Sequence, residues 1–181
     1  MSPAVSDSGP LIHLAQVNRL PLLKKLFKGV LITSGVKREV VDIGVELGHD
    51  DALMVRRAIS DGWITVKDVT GVMASTAERL AEDENISRSD AETLLLAKDN
   101  DVEAILIDEK ILSNLAKMHG LKIWNTWTIL LEALRRGLIE LSEIESSINE
   151  LAKRRHKLKT EQAAEILEAA RRIASTREES S

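Results

Sequence analysis

The stretch Ala4-Val5-Ser6-Asp7-Ser8-Gly9-Pro10-Leu11 passes from a short apolar segment to the start of a helical pattern. Its first four residues predict a strand, and four further strands are predicted at 30–32, 63–66, 104–107 and 122–124. Between them, apolar residues recur at three- and four-residue spacing, which is typical of amphipathic helices. Mainly apolar runs indicate strands covered on both faces, and their alternation with helices indicates a parallel sheet. The predicted fold class is therefore α/β, a three-layer sandwich around a central parallel sheet of about five strands.

The composition excludes several kinds of site. The chain of 181 residues has no Cys, so disulfides, thiolate zinc sites and Cys nucleophiles are excluded. Its four His residues are scattered without metal-ligand spacing, which disfavours a histidine zinc site. Three Trp and one Phe are too few for a base-stacking platform. No apolar run reaches the ~18 residues of a membrane span and no signal peptide is recognisable, so a cytoplasmic protein is expected.

The charge is unevenly distributed along the chain. The formal net charge is 25 − 29 = −4, which by itself disfavours a nucleic-acid partner. Residues 1–150 carry 17 Lys and Arg against 24 Asp and Glu, whereas residues 151–181 carry 8 against 5. The basic segment 153–159 is interpreted first as a solvated linker, then as a contact to RNA phosphates, then as part of a protein-binding surface with the apolar stripe of 163–173. The last residues, 177–181, contain no apolar side chain and are expected to fray.

Two predicted strands end in an acid. Asp7 ends the first strand and Asp108 ends the fourth. Ligands of parallel α/β sheets bind beyond the carboxyl ends of the strands, so two acids there would form a site if the strands were neighbours. An N-cap role for the following helix explains either acid alone equally well, because Asp is a favoured cap.

Further acids lie on predicted helices. Glu39, in a cluster of charged residues, is by itself best explained as a solvent-facing side chain. Ser89 and Glu92 fit a capping box, and Asp90 suits the first turn of the same helix, so Asp90 is ambiguous between cap and ligand. His13 is interpreted as a structural His. Asn125 and Thr126 follow the fifth strand and could lie near the acids.

Four of these passages together resemble the PIN-domain nucleases, and most closely the small prokaryotic VapC-type toxins and their solitary relatives. The similarity covers about residues 3–140, with the motifs in the same order. The passages are Val5–Ile12, Val36–Val41, Ser89–Ala97 and Leu106–Lys110, and the segment 126–139 is similar to the last core helix of this subgroup.

The resemblance implies a metal-dependent endoribonuclease with neighbouring first and fourth strands. Its acid cluster would be Asp7, Glu39, Asp90 and Asp108, binding Mg²⁺ or Mn²⁺. RNA would be the substrate, and a homodimer and an antitoxin protein are the partners that the resemblance implies. The domain is expected to span 1–140, followed by a helical C-terminal extension at 141–181.

The chain departs from the family pattern at two positions. Gly9 stands where the family commonly has Ser or Thr, and Asn125 stands where this subgroup often has Gly before Thr126. Gly9 and the unusual C-terminal tail favour the main alternative, a non-catalytic PIN-like module that binds RNA or protein, whereas the full set of four acids disfavours it. A receiver-like phosphoacceptor domain ranks third. Such a domain needs a clustered acidic pair near the first strand and a Lys after the last strand, and this chain has neither in a convincing place.

Overall fold

The computed structural model describes residues 2–100, 102, 104–154 and 158–179. Residues 155–157, which belong to the predicted basic linker, lie outside the described part, as do the last two residues of the segment expected to fray.

The centre of the molecule is a parallel sheet of five strands. They are β1 (Ala4–Ser6), β2 (Val30–Thr33), β3 (Ile64–Lys67), β4 (Ala104–Leu106) and β5 (Ile123–Trp124), in the spatial order β3-β2-β1-β4-β5. Ala4 pairs with Val30 on one side and with Ala104 on the other. The predicted α/β class, the parallel sheet and the contact between the first and fourth strands are thus confirmed.

Helices fill the connections between the strands. They are α1 (Ser8–Gln16), α2 (Leu22–Leu26), α3 (Ser34–Lys37), α4 (Gly44–Glu46), α5 (Asp50–Ser60), α6 (Gly71–Glu84), α7 (Arg88–Asp99), α8 (Lys110–Met118), α9 (Thr126–Arg135), α10 (Leu141–Lys153) and α11 (Thr160–Glu179). A π-helix, Arg38–Ile43, joins α3 to α4 without a break. None of the described helices has the length and apolarity that a membrane crossing requires.

Apolar side chains cover the sheet on both faces, which explains why the strand sequences are mainly apolar rather than alternating. On one face, Ala4 and Leu106 belong to a large cluster shared with α1, α5 and α9. On the other face, Val5 and Ile105 belong to a smaller cluster shared with α7 and α8. Neighbouring residues of one strand thus serve opposite layers, and the result is a three-layer sandwich.

The two C-terminal helices pack against the larger cluster. Ile144 of α10 and Ala170 of α11 are buried in this cluster, and Leu151 of α10 is buried as well. Near the end of α11, the Arg177 guanidinium donates hydrogen bonds to the carbonyl oxygens of Leu134 (2.9 Å) and Ile139 (3.4 Å). Arg177 was expected to fray, and that prediction is wrong, because its side chain finds acceptors 38 and 43 residues earlier in the chain. The division at residue 140 stays a prediction.

The start of α7 also differs from its prediction. The helix is capped by Ser87, whose Oγ accepts a hydrogen bond from the Asp90 amide (3.0 Å), and the Asp90 carboxylate accepts one from the Ser87 amide (3.2 Å). The predicted capping box of Ser89 and Glu92 is therefore wrong by two residues. Glu92 is buried instead and accepts a hydrogen bond from Arg88 Nε at 2.9 Å.

Candidate active site

Asp7 lies at the carboxyl end of β1, the middle strand of the sheet. Its amide donates a hydrogen bond to the Leu106 carbonyl (2.9 Å), which fixes it beside the end of β4. Asp7 occupies the N-cap position of α1, but its side chain makes no capping hydrogen bond. The residue is only 7% exposed. The capping explanation therefore does not account for a buried carboxylate at this place.

The surroundings of Asp7 disfavour its charged form. Burial is the main cause that raises the pKa of Asp7, to about 6, and a hydrogen bond from the Ser8 amide offsets part of the effect. Repulsion from Asp90, Glu39 and Glu109 raises the pKa further. These acids come from distant parts of the sequence, so the fold has gathered negative charge around one buried carboxylate.

Glu39 is carried by the π-helix Arg38–Ile43 and is exposed. π-helical turns are rare and occur frequently at functional sites, because the extra residue in the turn changes the direction of the side chains. The neighbouring helix α3 lies very close to α7: a Cβ added to Gly35 would meet the Ser89 Oγ at 2.9 Å. This close approach brings the segment that carries Glu39 next to the segment that carries Asp90.

Asp108 follows β4 and is held by hydrogen bonds. Its Oδ1 accepts a bond from the Thr126 amide (2.7 Å), and its Oδ2 accepts one from the Thr126 hydroxyl (2.7 Å). The His13 Nδ1 lies 2.6 Å from the same Oδ2. Burial would raise the pKa of Asp108, but the bonds from His13 and Thr126 outweigh it and the pKa is lowered. The N-cap position of α8 belongs to Glu109, so Asp108 is not that cap.

Gly9 lies directly against Asp108. A Cβ added at Gly9 would be 3.3 Å from the Asp108 Cβ and 3.4 Å from its Oδ2, which is tight packing. A Ser or Thr at this position, which the resemblance would favour, would press against the Asp108 side chain. The hydroxyl that contacts this carboxylate comes from Thr126, which confirms the expectation that Thr126 lies near the acids.

The four predicted acids are not arranged alike. Asp7, Glu39 and Asp90 interact electrostatically, whereas the contacts of Asp108 are with His13 and Thr126. Among the described residues, no three His, Asp or Glu side chains are placed so that they could hold a metal ion as they stand. The donor set itself suits a hard divalent cation, since it consists of carboxylate oxygens around one buried acid.

Two residues of the site were not assigned to it from the sequence. Glu109 adds to the repulsion at Asp7. The one feature of the sequence that could have indicated this role is its position directly after Asp108. His13 was interpreted as a structural His, and its contact with Asp108 agrees with that interpretation while placing it inside the site. The apolar pattern of α1 gives no sign of this contact, because its partner lies 95 residues further along the chain.

An open cleft of about 640 Å³ lies beside Glu39. Its walls are formed by α3, the π-helix, the residues after β3 and the start of α7. Arg38 and Arg88 both line it, but Arg88 is already paired with Glu78 (2.8 Å) and Glu92 (2.9 Å). The cleft thus has acidic side chains along its edge and an exposed arginine, Arg38, in its wall.

Comparison with known proteins identifies the family. A family model described as a PIN domain matches residues 3–172, which include all five strands and most of α11. No curated protein and no solved structure gives a significant match. Over nearly the whole of its length, the chain belongs to the PIN-domain family, whose fold is of the nuclease type.

Proposed function

We propose that the protein is an endoribonuclease that depends on Mg²⁺ or Mn²⁺ and hydrolyses phosphodiester bonds. The observation that carries this proposal is the buried Asp7 carboxylate, whose charge is opposed by Asp90, Glu39 and Glu109. A bound divalent cation would relieve that repulsion. PIN domains are generally nucleases, so a hydrolase that acts on nucleic acid is the activity that this family supports.

Each of the four acids has a proposed role. Asp7 and Asp108 would ligate the metal directly, Asp90 directly or through a water, and Glu39 would be a ligand or would orient the attacking water. Mg²⁺ prefers oxygen ligands and keeps several waters, which suits a site shared with a phosphate. When bound, such a cation lowers the pKa of a coordinated water and neutralises charge on the phosphate.

Asp108 is oriented by the protein itself. Its Oδ2 is engaged by two donors, whereas Oδ1 has a single donor among the residues that the structure describes, the Thr126 amide. A carboxylate oxygen can accept two hydrogen bonds or ligands, so Oδ1 is the atom of Asp108 that would face a metal. His13 and Thr126 act as positioning residues, since their hydrogen bonds fix the carboxylate.

The cleft beside Glu39 is the proposed path of the RNA. Arg38 is exposed there and would contact a phosphate, while Arg88 is held back by its two carboxylate partners. Recognition through phosphates would make binding weaken with salt.

Two protein partners are also proposed, a second copy of this chain and an antitoxin, with the nuclease acting as the toxin of the pair. Large apolar side chains on the surface, such as Leu47, Val72 and Met118, offer area for such contacts. Light scattering of the purified chain tests the homodimer, since a monomer at micromolar concentration would contradict it.

The test of the nuclease proposal is the variant Asp7→Asn. Cleavage of single-stranded RNA with Mg²⁺ or Mn²⁺ should fall at least ~100-fold, because loss of one charge-stabilising group typically costs 10²–10³ in rate. Asp83→Asn, at an exposed position of α6, makes the same chemical change away from the site and should cleave as the unmodified protein does. Unchanged cleavage by Asp7→Asn would contradict the assignment.

A second function, binding of RNA or protein without catalysis, is favoured by one observation. Asp108 is fully engaged at Oδ2, and the described acids do not form a three-ligand set as they stand. In that case RNA affinity would fall with salt, cleavage would be absent with any divalent metal, and Asp7→Asn would leave RNA affinity unchanged.

A further inference from the structure

A small pocket lies next to Asp108, and it shares no lining residue with the cleft beside Glu39. Its volume is about 290 Å³, and three residues of the proposed nuclease site, His13, Asp108 and Thr126, line it together with Asn125 and Trp127. The opposite wall comes from the C-terminal helices, through Leu151 of α10, Gln162 of α11 and Leu158 just before α11. The pocket therefore exists only because the C-terminal helices are folded back against the domain.

The C-terminal wall is held in place by contacts outside the pocket. Ala170 is fully buried, and α11 packs along α9. Arg177 binds the carbonyl oxygens of Leu134 and Ile139 at the far end of the helix. A wall fixed in this way can select a ligand by shape.

The hydrogen bonds of the two amide side chains leave donors available. Asn125 Oδ1 accepts bonds from the Thr128 amide (2.8 Å) and hydroxyl (2.9 Å), and Gln162 Oε1 accepts one from the Lys159 amide (3.2 Å). Each carbonyl oxygen is thus engaged in capping a helix. Both side chains are exposed, and their NH₂ groups have no acceptor within the described part of the chain, so both can donate to a ligand.

We propose that this pocket binds one base of the RNA substrate and prefers guanine or uracil. The proposal rests on the nuclease function, since the pocket borders Asp108. Guanine and uracil carry a carbonyl oxygen where adenine and cytosine carry an amino group. Two amide donors pair with a carbonyl oxygen and repel an amino group.

The size and the apolar lining of the pocket agree with a single base. Its volume lies at the lower limit of ligand pockets, roughly 300 Å³, which is too small for a long oligonucleotide segment. Trp127, Leu151 and Leu158 supply apolar surface for the faces of a planar ring, as in proteins that bind splayed single-stranded bases. Sequence readout would then come from hydrogen bonds at one position rather than from stacking of many bases.

The first test measures binding without catalysis. Nucleosides carry no phosphate, so titration of the full chain with uridine, guanosine, cytidine and adenosine can be followed by the side-chain amide NMR signals of Asn125 and Gln162. Uridine and guanosine should bind about tenfold more tightly than cytidine and adenosine, as expected for one or two hydrogen bonds. Equal shifts with all four nucleosides, or none, would overturn the proposal.

The variant Gln162→Glu sharpens this test. Glu keeps an oxygen for the Lys159 amide but replaces the donor by an acceptor, so the preference should move from uridine towards cytidine, whose amino group pairs with a carboxylate. Asn125→Asp makes the same replacement at the α9 cap, where Asp is also a good capping residue. Ala164→Glu, at an exposed position of α11, adds the same charge outside the pocket and should keep the uridine preference.

Cleavage of a random-sequence RNA pool separates this proposal from the nuclease proposal. Sequencing of the products should show G or U enriched at one fixed distance from the cut, and Gln162→Glu should reduce that enrichment while cutting continues. Cutting with no base preference at any position would overturn the pocket proposal alone. If the protein binds uridine and guanosine selectively but cuts no RNA, the pocket proposal is supported and the nuclease proposal is contradicted.

Discussion

Asp7 is a residue whose place in the fold lowers the stability of the protein. Its pKa rises from the ordinary 3.8 to about 6, mainly because it is buried. Between these two pH values the folded chain keeps a proton that the unfolded chain has released, so the free energy of unfolding decreases as the pH rises through this range. The loss is complete above about pH 7 and is on the order of 3 kcal/mol. Such a cost is typical of groups kept for function.

The variant Asp7→Asn should therefore be more stable than the unmodified protein at pH 8. Asn has nearly the same shape and no charge, so the decrease between pH 4 and pH 7 should shrink and the free energy of unfolding at pH 8 should rise by about 1–3 kcal/mol. Urea unfolding at pH 4, 6 and 8 measures this. Parallel pH profiles for the two proteins would show that Asp7 ionises normally.

Divalent metal should offset the destabilisation that the Asp7 charge causes. Millimolar Mn²⁺ should raise the melting temperature of the unmodified protein, because a ligand that binds only the folded state stabilises it. In Asp7→Asn the rise should be at most half as large. Scanning calorimetry with Mn²⁺ and with an equal ionic strength of NaCl distinguishes binding from screening, and equal curves in the two salts would contradict a metal site.

Thr126 contributes both its amide and its hydroxyl to Asp108 and is almost fully buried. Thr126→Val keeps the shape but removes the hydroxyl donor, which should cost about 1 kcal/mol of stability. Loss of a group that orients a metal ligand typically lowers metal affinity or activity roughly 10- to 100-fold. The rate of RNA cleavage should therefore fall by about tenfold or more. Thr126→Ser retains the hydroxyl and serves as the control. Equal activity of the Val and Ser variants would show that the hydroxyl does not position Asp108.

Among the secondary-structure elements, the π-helix Arg38–Ile43 has the clearest connection to the site, because it carries Glu39. It continues directly into α4 at Gly44, and α4 packs against α5. A Cβ added at Gly44 would lie 2.6 Å from the Cβ of Ala52, closer than two such atoms can be. The small residue thus lets the end of the π-helix lie against α5.

Gly44→Ala should destabilise the protein by about 1–3 kcal/mol, the usual cost of overpacking. Ala52→Gly in the same chain removes the clashing atom and should restore part of the loss, after allowance for the roughly 1 kcal/mol cost of Gly within a helix. A double-mutant cycle by chemical denaturation measures the coupling. Additive effects of the two substitutions would mean that the two helices can move apart without cost.

The elements differ in how far the sequence could predict them. Strands β1 and β4 were predictable because each is an apolar run that ends in an acid, and their contact followed from the family resemblance. The start of α7 was misplaced because Ser87 with Asp90 and Ser89 with Glu92 satisfy the same local capping rule. The two candidate caps can be distinguished only in the folded chain, where Glu92 is buried against Arg88. The π-helical turn has no local signal in the sequence, since it packs against α1 and α5, which lie elsewhere in the chain.

At the scale of the whole molecule, the charge and the scarcity of aromatic residues have structural explanations. Part of the negative excess lies in acids gathered around Asp7. With few aromatic side chains, contact with RNA would depend on phosphates, metal and a single base pocket. The chain's C-terminal helices link these features, because they pack on the core at Ala170 and also form one wall of that pocket.

The attachment of α11 can be tested through Arg177. The variant Arg177→Met keeps the apolar part of the side chain but loses the bonds to Leu134 and Ile139, and hydrogen bonds from a charged donor contribute about 2 kcal/mol. We expect α11 to open more often than the rest of the molecule, so its amides should exchange about tenfold faster while those of the central strands change little. In Arg177→Lys, which keeps one cationic donor, the α11 amides should exchange at a rate between those of the unmodified protein and Arg177→Met. RNA cleavage should persist in Arg177→Met while any preference for G or U weakens, because the acids are untouched and only the pocket wall is loosened. Uniformly faster exchange throughout the chain would instead show that α11 and the domain unfold as one unit.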